Sequence, residues 1–208
     1  MTELCPPDSP VLAWGMAAAA LEGDQSGDLQ VVLPIPGGAL MAVIDGLGHG
    51  PEAAVAARAA SRIIESHAAE PVKTIVERCN EGIRSTRGVV MTVASIDARI
   101  GSLSWIGVGN VEGLLLRPGN VGRTHDQAVQ NRGGVVGYRL PPLSARALPI
   151  SAGDLLIMAT DGIRRGFADG VDRTERDPAA IAAAIMAGFF RGSDDALVVA
   201  ARYLGGPS

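Results

Sequence analysis

The sequence predicts an α+β chain in which two mostly antiparallel sheets pack together and carry helices on their outer faces. Three observations predict it. Two apolar runs, 31–36 and 39–44, flank Gly37-Gly38 and read as a β-hairpin. Two helical stretches follow that hairpin directly, and several β-rich segments follow the helices. A further helix stands before the last strand, so the order is not the strict alternation that builds a parallel sheet.

Each element has its own signal. Residues 1–10 hold three prolines and form an irregular lead-in, after which 11–20 reads as a strand. The stretch 51–67 is alanine-rich, with Val55, Ile63 and Ile64 expected on one buried face and Pro51 at the first helical position. A second helix opens at Pro71 and runs through Ile75, Val76, Cys79 and Ile83. Segments 89–96, 102–108 and 111–117 are β-rich and broken by Gly101 and by Gly109-Asn110, and they read as a meander. Residues 118–147 are expected to be mostly loop. A strand at 155–159, a helix at 178–190 capped by Asp177, and a last strand at 196–204 complete the chain, with 205–208 as a tail.

The 208 residues suit one domain, 1–208, and the 27 glycines and 13 prolines imply many tight turns. A net charge of −4 with scattered arginines provides no broad positive field, so neither nucleic acid nor a membrane surface is an expected partner. Two cysteines, Cys5 and Cys79, lie far apart with no metal-ligand spacing, which suits a reducing cytoplasm. The apolar stretch 11–21 is too short to span a bilayer, and acidic residues precede it where a signal peptide needs positive charge.

Chemistry concentrates in the carboxylates. Asp45 ends the run 39–44 inside Asp45-Gly-Leu-Gly-His-Gly50, where glycines let the backbone approach a small charged guest. Asp28 precedes the first hairpin strand, Asp161 follows 155–160, and Asp194-Asp195 precede the last strand. Antiparallel pairing brings the start of one hairpin strand to the end of the other, so Asp28 and Asp45 should be neighbours. Mg²⁺ and Mn²⁺ prefer oxygen ligands and keep several waters, so a few carboxylates on rigid strand ends suit them. Two such ions about 3.5 to 4 Å apart can activate a water and clamp a phosphoryl group. The plain alternative is that aspartates beside glycines only form turns.

Five motifs in order, Ser26-Gly-Asp28, Asp45-Gly-Leu-Gly-His-Gly50, Gly107-Val-Gly-Asn110, Thr160-Asp-Gly162 and Asp194-Asp-Ala-Leu-Val198, resemble the metal-dependent type 2C protein serine/threonine phosphatases. The branch they resemble is that of stage II sporulation protein E. The block Ile75-Val-Glu-Arg-Cys-Asn80 with Arg87-Gly88 is similar to the small stressosome feedback phosphatases of Gram-positive bacteria. The resemblance implies an α-β-β-α sandwich with a site for two Mn²⁺ or Mg²⁺ ions, one of them weakly held. It implies that Asp45 bridges the ions, the Gly46 carbonyl ligates one, Asp161 and Asp194 hold the other, and Asp28 contributes through a water. Asp195 is a reserve ligand. The implied reaction is direct hydrolysis of phosphoserine or phosphothreonine, and the implied partner is a phosphorylated regulatory protein with a STAS domain of a stressosome or anti-sigma-antagonist type.

Departures from the family pattern matter. Gly27 stands where the wider family has an acidic residue, and Leu47 stands where it has a histidine. His49 is then a candidate to donate a proton or touch phosphate, against the simpler reading of a turn histidine. Arg164 and Arg165 follow the Asp161 turn, where they could steer a phosphate or merely be solvated. His67 and His125 have no partner pattern. A dinucleotide-binding loop fails because Pro51 occupies the third glycine position and Asp45 would face a pyrophosphate. A metal-binding pseudophosphatase that works by docking a partner is the remaining alternative.

Overall fold

The computed structural model describes residues 10–21, 26–118 and 126–206. The lead-in, His125, Cys5 and the last two residues of the tail lie outside them.

The hairpin forms as expected. Strands β2 (Asp28–Ile35) and β3 (Gly38–Gly46) pair antiparallel, and the register sets Asp28 opposite Asp45. Strand β1 (Leu12–Ala19) comes before them, and helices α1 (Pro51–Ser66) and α2 (Val72–Gly82) follow. Next come β4 (Val89–Asp97), β5 (Ser102–Val108) and β6 (Glu112–Leu116). The stretch expected to be loop contains three short strands, β7 (Gln127–Ala128), β8 (Asn131–Arg132) and β9 (Arg146–Pro149). Strand β10 (Leu155–Ala159), a short 3-10 helix (Phe167–Gly170), helix α3 (Pro178–Phe189) and strand β11 (Ala196–Tyr203) complete the order. The Asp177 side chain accepts from the Ala179 N–H at 3.0 Å, which caps α3 as expected.

One sheet runs β1-β11-β10-β6-β7 and the other β2-β3-β4-β5-β8, with β9 added against β5. All named pairings are antiparallel except the short β5–β8 contact. Three apolar layers follow from the alternation of side chains along each strand. Met41, Val43, Trp105, Met158 and Val199 fill the space between the sheets. Leu40, Ile44 and Met91 point the other way and meet Ile64 of α1 and Ile75 of α2. Ile157 and Val198 meet Phe167 and Ile181 on the opposite outer face. Central strands are apolar at nearly every position because both of their faces are covered.

Two expectations are corrected. Segment 111–117 does not continue the meander, because β6 joins β10 in the other sheet rather than β5. Periodicity identifies a strand but says nothing of its partner. Here the chain crosses between the sheets, and the carbonyl of buried Val111 at the crossing accepts from Thr92 Oγ1 at 2.7 Å and from Asn131 Nδ2 at 2.9 Å. Val55 is 52% exposed, not buried. It lies half a turn of helix from Ile64, so the face that packs is the alanine row Ala53, Ala56, Ala57 and Ala60 with Ile64. Alanines let α1 sit close on its sheet.

Replacing Thr92 by valine keeps the shape and removes one of the two bonds at the crossing. The expected cost is about 1 kcal/mol, or about 2–4 °C in midpoint for a chain of this size, read by thermal denaturation.

Candidate metal centre

Strand order puts the predicted carboxylates at one end of the sandwich. Asp28 opens β2 and Asp45 nearly closes β3, opposed in register. In the other sheet Ala159 pairs with Val198, so the chain leaving β10 through Asp161 lies beside the chain entering β11 through Asp194 and Asp195. The sheets are tied together at this end. Thr160 Oγ1 donates to Asp28 Oδ2 at 2.7 Å and itself accepts from the Leu197 N–H at 2.9 Å.

Two glycines allow the close approaches. A methyl group on Gly46 would fall 2.2 Å from the Ala53 carbonyl oxygen at the start of α1, and one on Gly162 would fall 2.0 Å from the Asp195 carbonyl oxygen. Either addition would push apart the backbones that carry the acids. The glycine-rich turn after Asp45 is braced from outside as well. The Leu47 N–H donates to the Gly88 carbonyl at 3.1 Å, and Arg87 pairs with Glu52 in the first turn of α1.

The electrostatics are those of crowded acids. Burial drives Asp45 up to about 8, and the charges of Asp28, Asp161, Asp194 and Asp195 push in the same direction. Asp28 is pushed up to about 7, chiefly by burial, with the Thr160 hydrogen bond opposing. Asp161 is also raised, by burial and then by Asp194, while Arg191 and the Asn110 amide relieve it. Asn110 Nδ2 donates to Asp161 Oδ2 at 2.6 Å. Asp45 feels Asp28, Asp161, Asp194 and Asp195, and Asp28 feels Asp161, Asp194 and Asp195, so the acids expected to be neighbours act on these two hairpin carboxylates. Among the described residues no three His, Cys, Asp or Glu side chains are gathered closely enough to hold an ion by themselves.

That spacing suits the chemistry of hard divalent ions. Mg²⁺ is typically held by one or two carboxylates with waters filling the rest of its shell, and an all-oxygen donor set favours Mg²⁺ or Mn²⁺ over softer metals. Asp45, Asp161, Asp194, the Gly46 carbonyl and Asp28 supply such a set. Asp195 is placed differently. It is buried, and its two oxygens accept from the Leu21 N–H at 2.8 Å and the Gly27 N–H at 2.7 Å, so it fastens the segment that delivers Asp28. His49 is exposed in the turn. His67 pairs with Glu70 at the end of α1, away from the acids. The roles of Thr160 and Asn110 as partners of the acids were not evident from sequence, although both belong to the motifs quoted above.

A testable consequence concerns the metal-free protein. Asp28 and Asp45 bind protons more tightly folded than unfolded, so stability falls as pH rises from about 4 through 7 and 8. With chelator present, Asp45→Asn is expected to melt higher than the parent at pH 8, by about 2–4 °C for each kcal/mol relieved, with the gap closing toward pH 4. An unchanged gap across that range, measured by calorimetric melting, would contradict the crowding described here.

Comparison with known proteins agrees with this architecture. The family "Stage II sporulation protein E (SpoIIE)" matches residues 36–204. The phosphoserine phosphatase RsbX of Bacillus subtilis (strain 168) is 34% identical over 79 residues, which span 38% of this chain and only 40% of RsbX. Among solved structures, a chain described under "The bacterial stressosome: a modular system that has been adapted to control secondary messenger signaling" is 30% identical, with TM-score 0.81, covering 92% of this chain and 99% of its own. RsbX in complex with magnesium superposes with TM-score 0.82 at 21% identity, over 92% of this chain and 95% of that one. The PP2C phosphatase domain of SpoIIE from Bacillus subtilis superposes with TM-score 0.78 at 22% identity, over 95% of this chain and 64% of that one. At those last two identities the likeness is one of fold. The two stacked sheets, their outer helices and the matched span together make this chain a member of the SpoIIE family, built on the PP2C phosphatase fold.

Proposed function

We propose that this chain is a metal-dependent phosphoprotein phosphatase, acting as one domain in the cytoplasm. It removes phosphate from serine or threonine of a regulatory protein in a bacterial stress-signalling relay. The observation that carries the reading is the meeting of Asp28, Asp45, Asp161 and Asp194, from four separate strand ends, at one end of the sandwich. The family match and the 30%-identical stressosome chain support it, and so does the phosphoserine phosphatase activity in the name of RsbX. A STAS-domain protein is the proposed substrate by the same route.

In this reading Asp45, the Gly46 carbonyl, Asp161 and Asp194 would hold the Mn²⁺ or Mg²⁺ ions, and Asp28 would contribute to the same site. When bound, the ions supply a water of lowered pKa and a clamp on the phosphoryl oxygens. The chain does the rest. Thr160 holds the Asp28 carboxylate, and Asn110 fixes the Asp161 carboxylate. Asp195 keeps the Asp28 segment against the opposite sheet. No cysteine or histidine nucleophile is required, since attack comes from water and the phosphate leaves without a covalent enzyme intermediate.

Manganese titration followed by phosphate release from a phosphorylated STAS-domain protein tests this. The expected result is manganese-dependent release, reduced at least 100-fold in Asp45→Asn, a loss in line with removal of a principal transition-state charge stabiliser (about 2.7 kcal/mol or more). A protein that binds manganese and the phosphoprotein yet releases no phosphate would instead be a docking pseudophosphatase.

A further inference from the structure

A groove of about 410 Å³ opens beside Asp161. Its inner end is Asn110, whose amide holds Asp161, and its wall is the start of β6. Glu112 on that wall pairs in register with Ala159, two residues before Asp161. Leu114 and Val129 form a small apolar floor, and Arg165 closes the outer rim. Arg165 lies four residues after Asp161, just past the bridge between Ile163 and Phe190, so the groove is joined to the carboxylate centre through Asn110 and through Arg165. One end is joined by a hydrogen bond and the other by four residues of chain.

The two arginines after Asp161 differ in what they do. Arg164 donates to the Gly188 carbonyl at 2.6 Å, beside the end of α3. Arg165 is 84% exposed, and its closest approach to an acid is through Nε, 3.5 Å from Glu112 Oε1. Among the described residues its two terminal amino groups donate to nothing. An exposed pair of this length contributes little to stability. Its geometry still matters, because a guanidinium oriented through Nε presents its other two nitrogens as a fork matched to a carboxylate. Glu112 stays in place beneath it, half-buried and also within the influence of Arg191.

Resting on the phosphatase reading, we propose that this groove receives the polypeptide next to the phosphorylated residue and that Arg165 selects substrates with an acidic side chain there. Glu112 is the positioning residue that aims the guanidinium. The floor made by Leu114 and Val129 accommodates an extended backbone with small side chains, and the polar ends set its direction. An oxyanion on the fork could belong to the flanking carboxylate or to the phosphoryl group itself. Arg165 lines the groove together with Leu114 and Val129 while Asp161 does not line it, which favours the flanking carboxylate.

Matched phosphoserine peptides flanked by Glu, Gln or Lys, together with a small aryl phosphate, separate these sources in the presence of manganese. The parent is expected to prefer the Glu peptide over the Gln peptide about tenfold in kcat/KM, the factor given by about 1.4 kcal/mol of charge-assisted pairing. In Arg165→Ala that ratio should fall to near one, and in Arg165→Glu it should turn toward the Lys peptide. Glu112→Gln should weaken the preference through KM, with kcat nearly constant. A parent ratio near one overturns the proposal, as does an equal fall on the aryl phosphate, which would put Arg165 on the phosphoryl group. Fluorescence anisotropy of the same peptides reads the groove without turnover. Selective binding lost in Arg165→Ala with no phosphate release would uphold the groove and sink the phosphatase reading; phosphate release with no selectivity would do the opposite.

Discussion

Carboxylates at one end of this sandwich repel one another, and Asp28 and Asp45 feel that repulsion on top of their burial. The positions of everything around them follow from that repulsion. Thr160 spans the gap between the sheets to hold Asp28, Asn110 reaches from the crossing segment to hold Asp161, and backbone N–H groups occupy both oxygens of Asp195. Among the described residues Arg191 is the one cation that relieves Asp161, and neither Asp28 nor Asp45 has a cation acting on it. Such an arrangement is costly without cations and favourable with them, since bound divalent ions reverse the sign of the local field. The fold supplies the rigidity that the acids themselves work against. Three apolar layers stacked across two sheets keep the strand ends in place while their charges push apart.

Much of this was legible in the order of residues. The glycine pair at Gly37-Gly38 fixes the hairpin, and the hairpin fixes the opposition of Asp28 and Asp45 by register alone. Asp161 and Asp194 were recognisable because each abuts a short apolar run that had to be a buried strand. The remainder depends on partners distant in sequence. Nothing local distinguishes a third meander strand from one that crosses to another sheet, so β6 was misplaced until its pairing with β10 was seen. Asp194 and Asp195 are adjacent and chemically identical. Only their surroundings show that the second is saturated by backbone donors from the connection between β1 and β2.

The alanine row on α1 shows the same limit from the other side. Val55 was expected inside on one face with Ile63 and Ile64, yet it lies opposite Ile64 around the helix, and the packing surface is set by angular position and by how close the helix must come. Closeness matters at this helix because its first turn lies against Gly46, one residue from Asp45. The identity of a core face and the backbone course beside Asp45 therefore meet at one contact.

Sheet order also carries a lesson about biogenesis. Among the described residues the first strand, β1, pairs only with β11, the strand farthest from it in sequence, while β2 through β5 pair with strands near them in the chain. During synthesis the half bearing Asp28 and Asp45 can assemble early, but the opposite half must wait for its central strand to emerge, leaving β1 unpaired in the meantime. A nascent chain would thus carry two of its acids already paired and the rest still unplaced. The set of acids at this end is complete only when β11 takes its place between β1 and β10.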